Sequence, residues 1–225
     1  MSVLLHAISD GALADPPCGL RGRALEFIPA GSVGVWASPV EPDAGTRDDA
    51  FDHHRVVEQL CARQPCLPIR FGTRAADADS ARALISSRQD ELASALARIG
   101  RRRELAVTLL WLDATTGPGR GHAVTSPPGR AFLERKRAGY AADEERRVAA
   151  ESLARRLEAG LAADQADVRH AYCPSAQVAL STAILAPAGE ADAMKERVVR
   201  VASGLGGVRA VVSGPWPPYT FASAT

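Results

Sequence analysis

The order of apolar and polar positions divides the chain into short runs of strand length and longer periodic runs. Residues 3–8 (VLLHAI) are an apolar run suited to a buried strand. Residues 24–28 and 33–37 predict two strands joined through Pro29-Ala30-Gly31-Ser32, a hairpin. Residues 46–64 predict a helix with Phe51, Val56, Val57 and Leu60 as its apolar positions. Pro65 ends it, because proline disfavours a helical residue before it. Residues 67–71 read as a short strand. Ile85, Leu92, Leu96 and Ile99 recur at i, i+7, i+11 and i+14, which predicts one helix over 79–99 closed by Gly100.

The second half has a cleaner rhythm. Residues 104–112 (ELAVTLLWL) are apolar on both faces of a strand, which suits a central position in a sheet. Residues 113–129 are rich in Gly, Pro, Thr and Ser and predict a long loop. A long helix is expected over 130–163, with Leu153, Leu157 and Leu161 one turn apart. Strands follow at 168–173 and 177–186, then a helix over 190–205 with Met194, Val198, Val201 and Leu205 on one face. Gly206-Gly207 breaks it before a last strand at 208–213. From residue 104 onward the order is therefore β-α-β-β-α-β, the ferredoxin-like signature. Residues 214–221 carry three prolines, which argue against a helix. Their rings, Trp216, Tyr219 and Phe221, predict an extended segment packed on the body. The expected fold is α+β in two domains: an N-terminal mixed α+β domain over 1–102 and a C-terminal ferredoxin-like βαββαβ domain over 103–225.

Composition narrows the function classes. The 225 residues are 46% hydrophobic and 24% charged, enough to bury a core without metals or disulfides. Lys and Arg number 27 against 26 Asp and Glu, a net charge of +1. This excludes a strongly cationic nucleic-acid binder and a chain too charged to fold. No apolar run approaches the roughly 18 residues that span a bilayer. The first residues lack the basic region and long apolar core of a signal peptide. The expectation is a soluble cytoplasmic protein with no membrane and no nucleic-acid partner.

Candidate chemistry is sparse. The four cysteines, at 18, 61, 66 and 173, form no CxxC and read as small buried hydrophobes. His54 and Cys61 are seven apart, with Glu58 between them, so a metal site or a Cys–His nucleophile is conceivable. No orienting third group or oxyanion site accompanies them, and a solvated helix face is the simpler account. His6, within a strand, reads as a half-buried polar partner. Gly117-Pro118-Gly119-Arg120-Gly121 superficially suggests a phosphate loop but lacks GxxxxGK[ST]. The basic clusters at 101–103 and 135–137 have no interleaved aromatics to stack bases. Arg70, set among Leu67, Ile69 and Phe71, has two readings. Its apolar neighbours favour a largely buried ion pair with an acid elsewhere. The alternative is a presented binding residue.

Three blocks carry a resemblance to a known family. PCLPIRFGT (65–73), after the helix bearing His53-His54-Arg55-Val56-Val57, resembles a signature of the gas-vesicle accessory proteins of the F/L family. GRAFLERKRAGY (129–140) is similar to that family's helix-opening motif, and SGPWPPYTF (213–221) to its C-terminal hallmark. The blocks occur in the family's order and span most of the chain. The resemblance implies a non-enzymatic assembly factor, in the cytoplasm and at the gas vesicle. It implies no catalytic residue, cofactor or metal. Its partners would be the small hydrophobic shell protein and other accessory proteins. A shell monomer built to face gas aggregates in water unless that face is covered, so a covering partner makes physical sense. Arg70, Phe71, Trp216, Tyr219 and Phe221 are then the expected partner-binding or structural residues. The rivals are a ferredoxin-like regulatory module that binds a small ligand, by fold analogy, and a small enzyme using His54 and Cys61.

Overall fold

The computed structural model describes residues 2–112, 128–161, 167–172, 175 and 177–222. It is a mixed α+β fold with two antiparallel sheets. The chain divides into two compact units, Met1–Glu104 with Pro215–Thr225, and Leu105–Gly214. The segment after Gly214, read from sequence as the tail of the second domain, therefore groups with the first unit. The reason is burial: Pro217, Pro218 and Phe221 are all buried, and Thr220 bonds to Glu104.

In the first unit, β1 (Val3–Ser9) lies at the centre of a sheet. The hairpin β2 (Glu26–Ala30) and β3 (Val33–Pro39) pairs antiparallel to it through β3. Ala30 opposes Val33, so only Gly31-Ser32 forms the turn, and Gly31 takes the left-handed conformation (φ 79°) that a glycine adopts without strain. The other edge of β1 carries two short strands, β4 (Leu67–Pro68) and β5 (Arg74–Ala75), in place of the single strand expected over 67–71. Gly72 (φ 90°) turns the chain between them. Pairing on both sides explains why β1 is buried from Leu4 to Ser9.

Helix α1 (Arg47–Arg63) begins at a capping box in which Thr46 and Asp49 satisfy each other's backbone amides. Asp49 also accepts bonds from Gly45 N (2.9 Å) and from Arg21 Nε (2.6 Å) and Nη2 (2.9 Å). The Arg21 guanidinium holds the Asp49 carboxyl well below the usual carboxylate range. The single helix expected over 79–99 is two, α2 (Ala78–Ser86) and α3 (Gln89–Ile99). Arg88 leaves the helical region (φ −127°, ψ 17°). The seven-residue spacing of Ile85 and Leu92 bridges the break, and both are buried, so the apolar pattern alone does not reveal it. Asp77 caps α2 through Ser80 N.

In the second unit the sheet order is β7-β8-β6-β9. Here β6 is Arg102–Trp111, β7 Asp167–Ala171, β8 Val178–Pro187 and β9 Val208–Trp216. The central place expected for residues 104–112 holds, but β6 alternates. Leu105, Val107 and Leu109 are buried, while Ala106, Thr108 and Leu110 are half-buried. Helices α4 (Pro128–Leu161) and α5 (Ala191–Ser203) supply Leu153, Leu157, Met194 and Val198 to the core around β6 and β8. A Cβ on Gly160 would collide with Val201 Cγ1, so this glycine permits the close approach of the two helices. The loop expected over 113–129, with the glycine-rich stretch 117–121, lies outside the described residues up to 127, and so does Cys173.

Candidate functional site

The family-like stretches at residues 53–57 and 65–73, and the part of the C-terminal block from Pro215 to Phe221, come together in the first unit, around the two faces of α1. The inward face carries Asp49, His53, Val56, Val57 and Leu60, all buried. The outward face carries Phe51, His54 and Glu58, one helical turn apart.

On the inward side, β1 contains a bulge. Leu5 pairs with Ala37 and Ala7 with Trp36, so His6 is an extra residue. Such a bulge re-aims its side chain. His6 stacks on His53 with ring centroids 4.8 Å apart, and Phe71 meets His53 edge-on at 5.5 Å. His6 Nε2 shares a 2.9 Å hydrogen bond with Ser38 Oγ. His53 Nε2 donates to the Leu5 carbonyl at 3.2 Å, which places its proton on that nitrogen. Burial, reinforced by the neighbouring His53, pushes His6 down to about 3, and burial lowers His53 as well. Both rings are neutral near pH 7. His6 is fully buried rather than half-buried as expected, because β3 and β4 flank its strand.

The block at residues 65–73 is laid along β1 by its backbone. Ile8 opposes Leu67, Ile69 N donates to the His6 carbonyl (2.8 Å), and Leu5 N donates to Thr73 O (2.9 Å). Arg70 is exposed, and no ion pair engages it among the described residues. This corrects the expected buried ion pair. With a strand of only two residues, the chain is already turning at Arg70, so its side chain leaves the core. The fold uses its carbonyl, which accepts from Thr73 N (3.3 Å) and Oγ1 (2.9 Å).

Cys61 and Cys66 form a disulfide, with Cα atoms 5.4 Å apart. This corrects the reading of the cysteines as separate buried hydrophobes. The end of α1 at Arg63 reverses the chain within five residues, which returns Cys66 to Cys61. Cys18 is a free and exposed cysteine. The bonded Cys61 sulfur is not available as the nucleophile of a Cys–His pair, and His54 is engaged elsewhere.

On the outward side, His54 lies between two rings of the C-terminal segment. Trp216 meets it at 5.6 Å in an edge arrangement, and Tyr219 stacks at 6.1 Å. Burial, with the charge of Glu58 adding to it, pushes the Tyr219 phenol up to about 12. Beyond Trp216 the segment is not extended: α6 (Tyr219–Ala222) is a single helical turn. The prolines permit it because Pro217 and Pro218 precede the turn and contribute carbonyls, which accept from Tyr219 N, Phe221 N and Ala222 N. The turn is tied down by Glu104, which accepts from Thr220 N (2.8 Å) and Oγ1 (2.7 Å), and by Arg98, which donates to the Phe221 carbonyl (3.4 Å). Phe221 is buried, whereas Trp216 is 40% exposed and Phe51 60% exposed. Arg47 lies over the Phe51 ring at 5.4 Å. The result is an exposed aromatic ledge on a buried anchor.

The sequence singled out the rings of this site and His6 as a polar partner, but not the His6–His53 stack or the role of Glu104, which arise from a bulge, a helix face and a long-range contact. Among the described residues, no cluster of three or more His, Cys, Asp or Glu is arranged to hold a metal ion, and no helix is long and apolar enough to cross a membrane.

Residues 3–223 match the family described as Gas vesicle synthesis protein GvpL/GvpF. Two solved structures share the fold. The crystal structure of the gas vesicle protein GvpF from Anabaena is 15% identical, with a TM-score of 0.73 over 100% of this chain and 99% of that one. That of GvpF from Microcystis aeruginosa is 15% identical, with a TM-score of 0.74 over 98% of each chain. No curated protein matches the sequence.

Proposed function

The chain belongs to the gas vesicle synthesis protein GvpL/GvpF family, and on that premise we propose that it is a non-enzymatic accessory protein of gas vesicle assembly. In this reading it acts in the cytoplasm and at the gas vesicle. It binds the hydrophobic shell protein and other accessory proteins. The observation that carries the reading is the ledge of Phe51 and Trp216. Exposed aromatics beside a rigid support are the usual anchors of an interface, and an apolar shell subunit is a chemically suitable partner. Tyr219 and Phe221 then hold the ledge in place, and Phe71 supports α1 from the opposite side. The second unit is assigned to the ferredoxin-like βαββαβ class, on its element order and its sheet order β7-β8-β6-β9.

Co-expression with the shell protein, followed by affinity capture, tests this reading. A Trp216→Ala, Phe51→Ala double variant should keep the wild-type melting curve to within a few degrees and lose at least tenfold of the captured shell protein. Undiminished capture by a folded double variant would remove the ledge as the docking surface.

A further inference from the structure

Helix α4 has 34 residues, about 50 Å of length. Its second half is built into the core through Leu153, Leu157 and Leu161. Its first half presents an outer face on which Leu133 (54% exposed) and Tyr140 (62%), seven residues apart, meet solvent, and Arg147 continues the same stripe. The charges around them follow a symmetric plan. Lys136 and Asp143 lie on one flank of Tyr140, and Arg137 and Glu144 on the other, each pair seven residues apart and so on one helical stripe. The basic members precede Tyr140 by three or four residues, and the acidic members follow it by three or four.

We propose that this face pairs with the same face of a second copy of the chain, antiparallel, about a two-fold axis at Tyr140. A two-fold interface must be complementary to itself, and this stripe is. Running the second helix antiparallel sets Lys136 against Asp143, Arg137 against Glu144, Leu133 against the aliphatic stem of Arg147, and Tyr140 against its own copy. The symmetry doubles every contact except the last. A partner of unrelated sequence requires no such reflection about one residue. Among the described residues no ion pair occupies Lys136 or Arg137; the Lys136 ammonium lies 5.8 Å from the centre of the Tyr140 ring. Asp143 and Glu144 accept from Arg146 (2.6 Å) and Arg147 (2.5 Å) on their own helix. Such exposed pairs are weak, and a carboxylate accepts more than one donor. The contact of two half-helices is small, which makes the dimer a weak one.

Sedimentation equilibrium of the full chain from 5 to 200 µM tests the proposal, with circular dichroism melting as the control for folding. The wild type should show a concentration-dependent monomer–dimer equilibrium that weakens in 0.5 M NaCl. A Lys136→Glu, Arg137→Glu variant makes all four flanking positions acidic, and an Asp143→Lys, Glu144→Lys variant makes all four basic. Each should dimerise at least tenfold more weakly alone, and an equimolar mixture should recover the dimer. Tyr140→Glu, a single exposed change, should also yield monomer. A wild type that stays monomeric at 200 µM, a folded reversal variant that dimerises like the wild type, or a mixture that does not recover would each overturn the proposal.

Discussion

His53 and His54 are consecutive residues with opposite surroundings. His53 faces inward, stacked on the bulged His6 and edged by Phe71, and is held neutral by burial. His54 faces outward, between the half-exposed Trp216 and Tyr219. A helix turns 100° per residue, so one step along α1 moves an imidazole from the core to the edge of a surface. The two sites teach different things. The inner stack holds β1 against α1 and makes stability depend on pH. The outer one props exposed rings on a buried anchor and affects stability less, since solvent already reaches its edge.

The largest expected effect is loss of the anchor. Phe221→Ala empties a buried site and should cost about 3–5 kcal/mol, measured by urea unfolding. A loss below about 1 kcal/mol would show that α6 does not anchor the outer site. The inner stack comes next. His6 has a folded pKa near 3 against an unfolded value near 6.5, so its contribution is complete above pH 6.5 and is lost as pH falls through that range toward 3. Each pH unit below 6.5 should remove about 1.4 kcal/mol through His6. His6→Asn should reduce the slope of unfolding free energy between pH 6.5 and 5, and a slope equal to that of the wild type would show that the inner stack does not make stability depend on pH.

The Cys61–Cys66 disulfide should contribute about 2 kcal/mol, as expected for so short a loop. Cys66→Ser would therefore lower the oxidised melting temperature and bring it to that of reduced wild type. Arg70→Ala is the smallest change, within about 0.5 kcal/mol, because the side chain is exposed and the backbone makes the turn. A melting temperature lowered by many degrees would restore the buried ion pair.

These effects sort by how far apart in the chain the contributing residues lie, and legibility in the sequence sorts the same way. The strands β1 and β3, the helix α1 and the β-α-β-β-α-β order of the second half are visible because each is a local periodic pattern. The break between α2 and α3 is hidden because Ile85 and Leu92 keep the helical spacing across it. Arg70 is misread because its neighbours in sequence are apolar, while its side chain follows the turn after a two-residue strand. The disulfide is missed because a spacing of five residues matches no motif and depends on how the chain leaves α1.

What the sequence determined by itself is therefore the α+β class, most of the elements and, through three blocks, the family. Periodicity and local motifs are short-range properties written along the chain. Only the tertiary structure decided that residues 215–225 belong with the first unit, that Glu104 caps the final turn, and that His53 and His54 divide between core and surface. Each of these requires residues from distant parts of the chain: Glu104 with Thr220, His6 with His53, Trp216 with His54. No local pattern encodes such a meeting. It is set by which packing buries the most apolar surface while leaving the fewest polar groups unpaired.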